Sequence, residues 1–190
     1  MPLNIEVEVR GLEGVHRVAR ELVRLGQDLT PILEITGSIL EASTLARFDE
    51  ERDVAGVPWP PSKAALGLAR RASGKIAPGR TLFDTGGLEG SIRYEVRPSE
   101  VEVGVDARTE SAKWGHVHQF GYSGAQSVGP HRRTINEAFG VPIPPTVVEV
   151  RPYTREMRIP KRSFIGVSEQ DRDDLNTAWR DHLEGIFGHG

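Results

Sequence analysis

Leu3, Ile5, Val7 and Val9 alternate with Asn4, Glu6, Glu8 and Arg10, a period of two that predicts a strand with one buried face, ended by Gly11. From Leu12 the period lengthens. Leu12, Val15, Ala19, Leu22, Leu25 and Leu29 recur at helical spacing while Arg17, Arg20, Glu21 and Arg24 take the other side, which predicts an amphipathic helix. Thr30 before Pro31 fits an N-cap and first helical residue, and Ile32, Ile35, Ile39, Ala42 and Ala46 carry a second apolar stripe to about Phe48. Two helices packed as a hairpin and one helix kinked at Pro31 satisfy this pattern equally.

Between Asp49 and Arg80 the periodicity stops. Gly56-Val57-Pro58-Trp59-Pro60-Pro61 cannot continue a helix or a central strand, because its prolines lack backbone donors. A long ordered loop is expected, anchored by the large apolar surface of Trp59, with Ser62 to Arg71 as one helical stretch inside it. Tyr94 and Val96, then Val101, Val103 and Val105, alternate with polar residues across Arg97-Pro98-Ser99-Glu100, a turn composition, and predict a hairpin. Lys113 to Phe120 fits one or two helical turns ended by Gly121.

Tyr122 to Pro145 is rich in Gly, Ser and Pro and reads as an excursion; Val147, Val148 and Val150 with Met157 and Ile159 predict a further short hairpin. Ser168 as N-cap, with Glu169 and Asp171 in the first turn, opens a last helix whose apolar face is Leu175, Ala178, Trp179, Leu183, Ile186 and Phe187. The order of elements is that of an α+β fold. A small antiparallel or mixed sheet is expected against N-terminal helices and a C-terminal helix, with long Pro/Gly-rich loops. The expectation is a single domain over 1–190, with a loop excursion at about 49–80 and a loop or hairpin insertion at about 122–158.

Composition narrows the chemistry. With no cysteine in 190 residues, disulfides, thiolate nucleophiles and Cys-based zinc sites are excluded. No run approaches the roughly 18 apolar residues of a membrane span, and the N-terminus lacks the regions of a signal peptide, so a soluble chain that is not exported and has no membrane partner is expected. A net charge of -3 gives no global attraction to nucleic acid or anionic lipid.

His116 and His118 lie two apart, with Asp84, Asp106 and Glu110 elsewhere as carboxylate partners for an imagined zinc site. Residues two apart share a face on a strand but not on a helix, so the pair chelates only if its segment is extended. The favoured alternative has His118 and Gln119 hydrogen-bonding backbone groups of neighbouring loops. Asp84-Thr85-Gly86-Gly87 resembles the Asp-Thr-Gly of aspartic proteases, but that catalysis needs two such loops; Asp84 or Thr85 is expected instead to cap a short helix over Leu88 to Ile92. The glycines here do not form a phosphate loop, and no cofactor is expected. Arg70, Arg71, Lys75 and Arg80, and His131, Arg132 and Arg133, would touch phosphates if they cluster, but a solvated loop is favoured.

Four segments carry a resemblance. They are Ala46-Arg47-Phe48 leading to Gly56-Val57-Pro58-Trp59-Pro60-Pro61; Leu82-Phe83-Asp84-Thr85-Gly86-Gly87-Leu88-Glu89-Gly90-Ser91-Ile92; His116-Val117-His118-Gln119-Phe120-Gly121; and Ile159-Pro160-Lys161-Arg162-Ser163-Phe164-Ile165-Gly166-Val167-Ser168. In that order the chain resembles the phage virion-morphogenesis, or tail-completion, family, which includes the tail-completion proteins of Mu-like contractile phages. It departs from the family at Ala112-Lys113-Trp114-Gly115, where an Ala-rich segment with Tyr is usual, and at Lys161-Arg162-Ser163-Phe164, where Ala-Arg-Pro-Phe is usual.

The resemblance implies a non-enzymatic structural subunit of the virion, made in the host cytoplasm and placed at the tail and neck. It would form a ring of identical copies, with a hexamer suggested, and join the tail tube or terminator to neck or connector proteins. The structural or interface candidates are Trp59, Asp84, Thr85, Gly86, Leu88, Ser91, Trp114, His118, Gln119, Phe120, Gly121, Arg162 and Phe164. Two other readings stand beside it: a head-tail connector subunit contacting DNA in the lumen through the arginine clusters, and a metal-dependent hydrolase built on His116 and His118.

Overall fold

A computed structural model describes residue 20 and residues 28–63, 65–66 and 79–187, with side chains to residue 185. The expected first strand, the helix from Leu12, the choice between hairpin and kink, and most of the expected Ser62 to Arg71 helix lie outside the described residues. The described elements are helix α1 (Thr30–Glu50), strands β1 (Ile92–Arg97) and β2 (Glu100–Val105), helix α2 (Ser111–Phe120), strands β3 (Tyr122–Val128), β4 (His131–Ala138), β5 (Val141–Val150) and β6 (Tyr153–Ile159), and helix α3 (Glu169–Phe187). The class is α+β with small antiparallel sheets. The chain divides into two compact units, one holding the described residues up to Phe120 and from Lys161 onward, the other Gly121–Pro160.

Thr30 does not cap α1 but begins it, with Leu29 as N-cap. The Asp28 carboxylate accepts from the Thr30 amide at 2.9 Å and its hydroxyl at 2.8 Å, supplying the oxygen that an N-terminal turn requires. The buried face also differs from the expected stripe. Ala42 and Ala46 are exposed and Ile35 and Ile39 half-buried, while Ile32, Leu33, Thr36, Gly37, Thr44, Arg47 and Phe48 face inward. Threonine hydroxyls are tolerated there because each returns its proton to the preceding turn, Thr36 to the Ile32 carbonyl and Thr44 to that of Leu40. Trp179 of α3 donates its indole N–H to the Thr36 hydroxyl at 2.9 Å, so the contact between α1 and α3 is both apolar and hydrogen-bonded.

The β1–β2 hairpin forms as its alternation predicts, from Ile92↔Val105 to Arg97↔Glu100 around Pro98-Ser99. Tyr94 lies so close to α1 that a Cβ on Gly37 would meet its ring at 2.3 Å. Two buried clusters result. Leu29, Ile32, Leu33 and Trp179 form one, flanked by Val96, Val101 and Leu183; Phe48, Trp59, Ile92, Phe164 and Ile165 form the other, flanked by Leu45, Leu82, Leu88 and Val105.

Within Gly121–Pro160 the Tyr122 to Pro145 excursion is not a loop, and Val147 to Val150 do not pair with Met157 and Ile159. β3 pairs with β6 from Tyr122↔Ile159 to Val128↔Tyr153, and β4 with β5 from His131↔Val150. Both ladders share one register across Gly129-Pro130 and Arg151-Pro152, where the prolines withhold donors. After a shift between Ile135 and Glu137 the ribbon closes at Ala138↔Val141. Phe139 and Gly140 form the turn with φ of 51° and 78°, both positive as a type I′ turn requires. No residue of this unit is buried. With no face against a core, the strands lack the alternation by which a sequence announces them.

Candidate functional site

The segment from Lys161 to Ser168 has no regular structure, yet Arg162, Phe164 and Ile165 are buried in it. Its backbone groups need partners, and side chains of the other resembling segments supply them. Gln119 of α2 accepts from the Phe164 and Ile165 amides at 2.9 and 3.1 Å and donates to the Ile165 carbonyl at 2.8 Å. Arg47 of α1 donates to the carbonyls of Phe164 and Gly166, and the Trp59 indole to that of Ser163 at 3.2 Å. The Arg162 amide donates to the His118 carbonyl at 2.7 Å. Beneath this clasp Phe48 meets the Trp59 ring edge-on at 5.5 Å between centroids and the Phe164 ring at 5.1 Å.

Arg47 also forms a buried ion pair with Asp171. Burial pushes the Asp171 carboxyl up, but hydrogen bonds from Ser43 and from the Ser168 amide and hydroxyl, with the Arg47 charge, outweigh it and hold the group below its ordinary value. Ser168 caps α3 as its sequence predicts, and reciprocally: its hydroxyl accepts from the Asp171 amide at 3.0 Å while its own amide donates to the Asp171 carboxylate at 2.7 Å.

His118 takes a different place from the expected one. Its ring meets the Arg162 guanidinium at 3.2 Å rather than a loop backbone, and Arg162 reaches on to the carbonyls of Pro60 and Pro61. Burial and the adjacent Arg162 charge lower the imidazole to about 4, so it is neutral near pH 7. The His116 ring instead packs against that of Phe120 at 5.0 Å between centroids, tilted by 53°. Because α2 is helical, the two imidazoles lie about 200° apart around its axis, and a guanidinium occupies the second one's polar edge. That geometry removes the shared metal site; among the described residues no group of three or more His, Asp or Glu could hold an ion.

Asp84, Thr85, Leu88, Trp114 and His118 line one groove of about 510 Å³, with Arg80 and Phe83. Trp114 is 56% exposed at its side. Arg80 lies over the Phe83 ring at 4.7 Å and pairs with Asp49, so it is engaged within the chain. The expected cap from Asp84 or Thr85 is not made: Leu88 is the N-cap of a short 3-10 turn, Glu89–Ser91, that carries no side-chain cap. The turn is tied by backbone instead, the Gly90 amide to the Gly86 carbonyl at 2.8 Å, and by the buried Ser91 hydroxyl to the Leu88 carbonyl at 2.6 Å. Gly86 and Gly121 both take positive φ, near 77°, as chain reversals require.

A second groove, of about 1080 Å³, lies between the end of α1, residues 52–56 and the start of α3. Ile39, Ala42, Ala46 and Val54 give it an apolar floor, and Glu50, Asp53, Glu169 and Asp174 an acidic rim that outnumbers Arg52 and Arg172. Neither this groove nor Arg47 and Asp171 stand among the sequence candidates. The available signal was the row Ile32, Thr36, Leu40, Thr44, Phe48, in which threonine stands in for an apolar residue at every second place.

A family model described as the phage virion morphogenesis family matches residues 11–184, and the chain belongs to that family. No curated protein and no solved structure matches the chain. None of the described helices is long and apolar enough to cross a membrane.

Proposed function

We propose that this member of the phage virion morphogenesis family is a structural subunit that completes the head-proximal end of a phage tail. Identical copies form a ring, six by the expectation from the family, that joins the tail tube or terminator to the neck. The observation that carries this reading is the use made of the resembling segments. Arg47, Trp59, Gln119 and Phe164 hold one irregular strap of backbone, and His118 is a neutral partner of a buried arginine. Polar side chains committed to backbone in this way fix a shape. A fixed body with exposed grooves suits a part that other chains grip.

Negative-stain imaging of particles from a producing host, decorated with antibody to this chain, tests the proposal. Label at the head-proximal tail end is the expected result. Label elsewhere on the particle, or particles that lack the chain, overturns it.

A further inference from the structure

The strands over 121–160 sort their arginines in a way that the sequence does not show. Partners across an antiparallel ladder share a side, and neighbours along a strand point to opposite sides. His131-Arg132-Arg133, a cluster in the sequence, is therefore divided. Arg132 faces with Glu149, while His131 and Arg133 face the other way with Val150 and Val148. In β3 and β6 the side that holds Tyr122 also holds Gln126, Tyr153 and Arg155. Arg155 donates to the Gln126 side-chain oxygen at 2.8 Å, and a Cβ on Gly124 would meet the Tyr122 hydroxyl at 2.8 Å, as residues of one side must. Because both ladders keep one register, this side runs on through Arg151 to Arg132. Arg132, Glu149 and Arg151 border one hollow of about 340 Å³.

The result is a side made almost wholly of hydrogen-bond donors. Arg132, Arg151 and Arg155 stand against a single carboxylate, Glu149, which Arg132 already holds at 2.7 Å. Tyr122 and Tyr153 are 42% and 45% exposed and add two hydroxyls. The opposite side carries Arg133 and Arg158 against Glu156, and the tip carries Glu137. No residue of the unit is buried, so packing does not account for this sorting. We infer that the side from Tyr122 to Arg132 binds the phosphate backbone of duplex DNA. It runs about 34 Å, close to one turn of a duplex, and a two-stranded ribbon fits the major groove. Arg151 and Arg155 lie four residues apart, about 14 Å along the strand, which is the rise of about four nucleotides. Phosphates offer acceptors at regular spacing along such a line, whereas an acidic protein patch offers them in one place. The net charge of -3 gives no general attraction to DNA, so the contact is local, independent of base sequence and sensitive to salt. The inference concerns the ribbon alone and goes beyond the proposed place on the tail, which the antibody label judges separately.

Fluorescence anisotropy of a labelled DNA duplex about three turns long, titrated with the full-length chain over a series of salt concentrations, tests the inference. The expected result is saturable binding that weakens as salt rises. An Arg151→Gln/Arg155→Gln variant should bind at least about tenfold more weakly at low salt, and its log–log salt slope should be shallower by about 2. Arg133→Gln/Arg158→Gln removes the same charge from the opposite side. At about 0.1 M salt, where charges are screened beyond about 10 Å, it should bind as the wild type does. All four arginines are exposed, so thermal melts of both variants should match the wild type and keep folding out of the comparison. Equal losses in the two variants overturn the inference, as does the absence of binding at low salt. Tighter binding to a single strand of the same length overturns the duplex assignment. Displacement of the labelled duplex by polyglutamate as readily as by unlabelled duplex marks a site for acidic protein and overturns it too.

Discussion

Gln119 satisfies three buried backbone groups with one side chain. Removing it by Gln119→Ala leaves the Phe164 and Ile165 amides and the Ile165 carbonyl without their partner, each costing about 1–3 kcal/mol when buried. The expected outcome is a loss of at least about 3 kcal/mol in a urea unfolding experiment. His118 acts through its proton. With a folded value of about 4 against 6.5, the unfolded chain binds a proton over that window that the folded chain does not. Its contribution to stability is thus complete above pH 6.5 and falls as the pH drops toward 4. His118→Gln should flatten the thermal stability profile across that window. Asp171 is shifted in the same direction from a lower starting point: its contribution is present above its unfolded value of 3.8 and is lost as the pH falls through its folded value, so the acid limb at lower pH should persist in the variant. Gln119 was legible as a backbone partner because a lone amide beside a glycine-ended helix has few other tasks. Arg47 was not, since a charged residue in a helix is normally assigned to solvent, and its partners, the Phe164 and Gly166 carbonyls and Asp171, lie 117 to 124 positions away.

At the level of elements, glycine makes two opposite predictions. Gly37 is buried in α1 against the Tyr94 ring of β1, so the added methyl of Gly37→Ala meets ring carbons at 2.3 and 2.6 Å. Overpacking should cost about 1–3 kcal/mol despite the gain in helix propensity. Gly185 in α3 faces open space, and Gly185→Ala should stabilise by up to about 1 kcal/mol. Thermal melts of the two variants check both signs. The β1–β2 hairpin and α3 were readable because each has one buried face and a turn or cap of fitting chemistry. Of the strands from Tyr122 to Ile159, the ends of β5 and β6 were read as strand from their valines, Met157 and Ile159, but with the wrong partners, and β3 and β4 were not, because a ribbon without a core side imposes no strong period and its glycines and prolines read as excursion. Asp84 does not make the expected cap because the turn over Glu89–Ser91 is closed by backbone groups and the Ser91 hydroxyl.

For the whole molecule, the ribbon is an excisable module. Tyr122 sits opposite Ile159, so the chain leaves and re-enters side by side. A chain in which a short Gly-Ser linker replaces residues 122–159 should keep its cooperative unfolding, because every buried residue lies outside that span. The sequence marks the segment as a loop or hairpin insertion at about 122–158, close to the Gly121–Pro160 unit, but that burial stops at its edge is visible only in the structure.

The paired register of the ribbon also limits how its length can change. One residue added to each strand preserves pairing but turns every side chain beyond it to the opposite face. Two per strand restore the facing and move the tip outward by about 7 Å. Natural or engineered versions that keep the same side chains facing the same way at the tip should therefore differ in steps of four residues, which makes this hairpin a spacer with discrete settings.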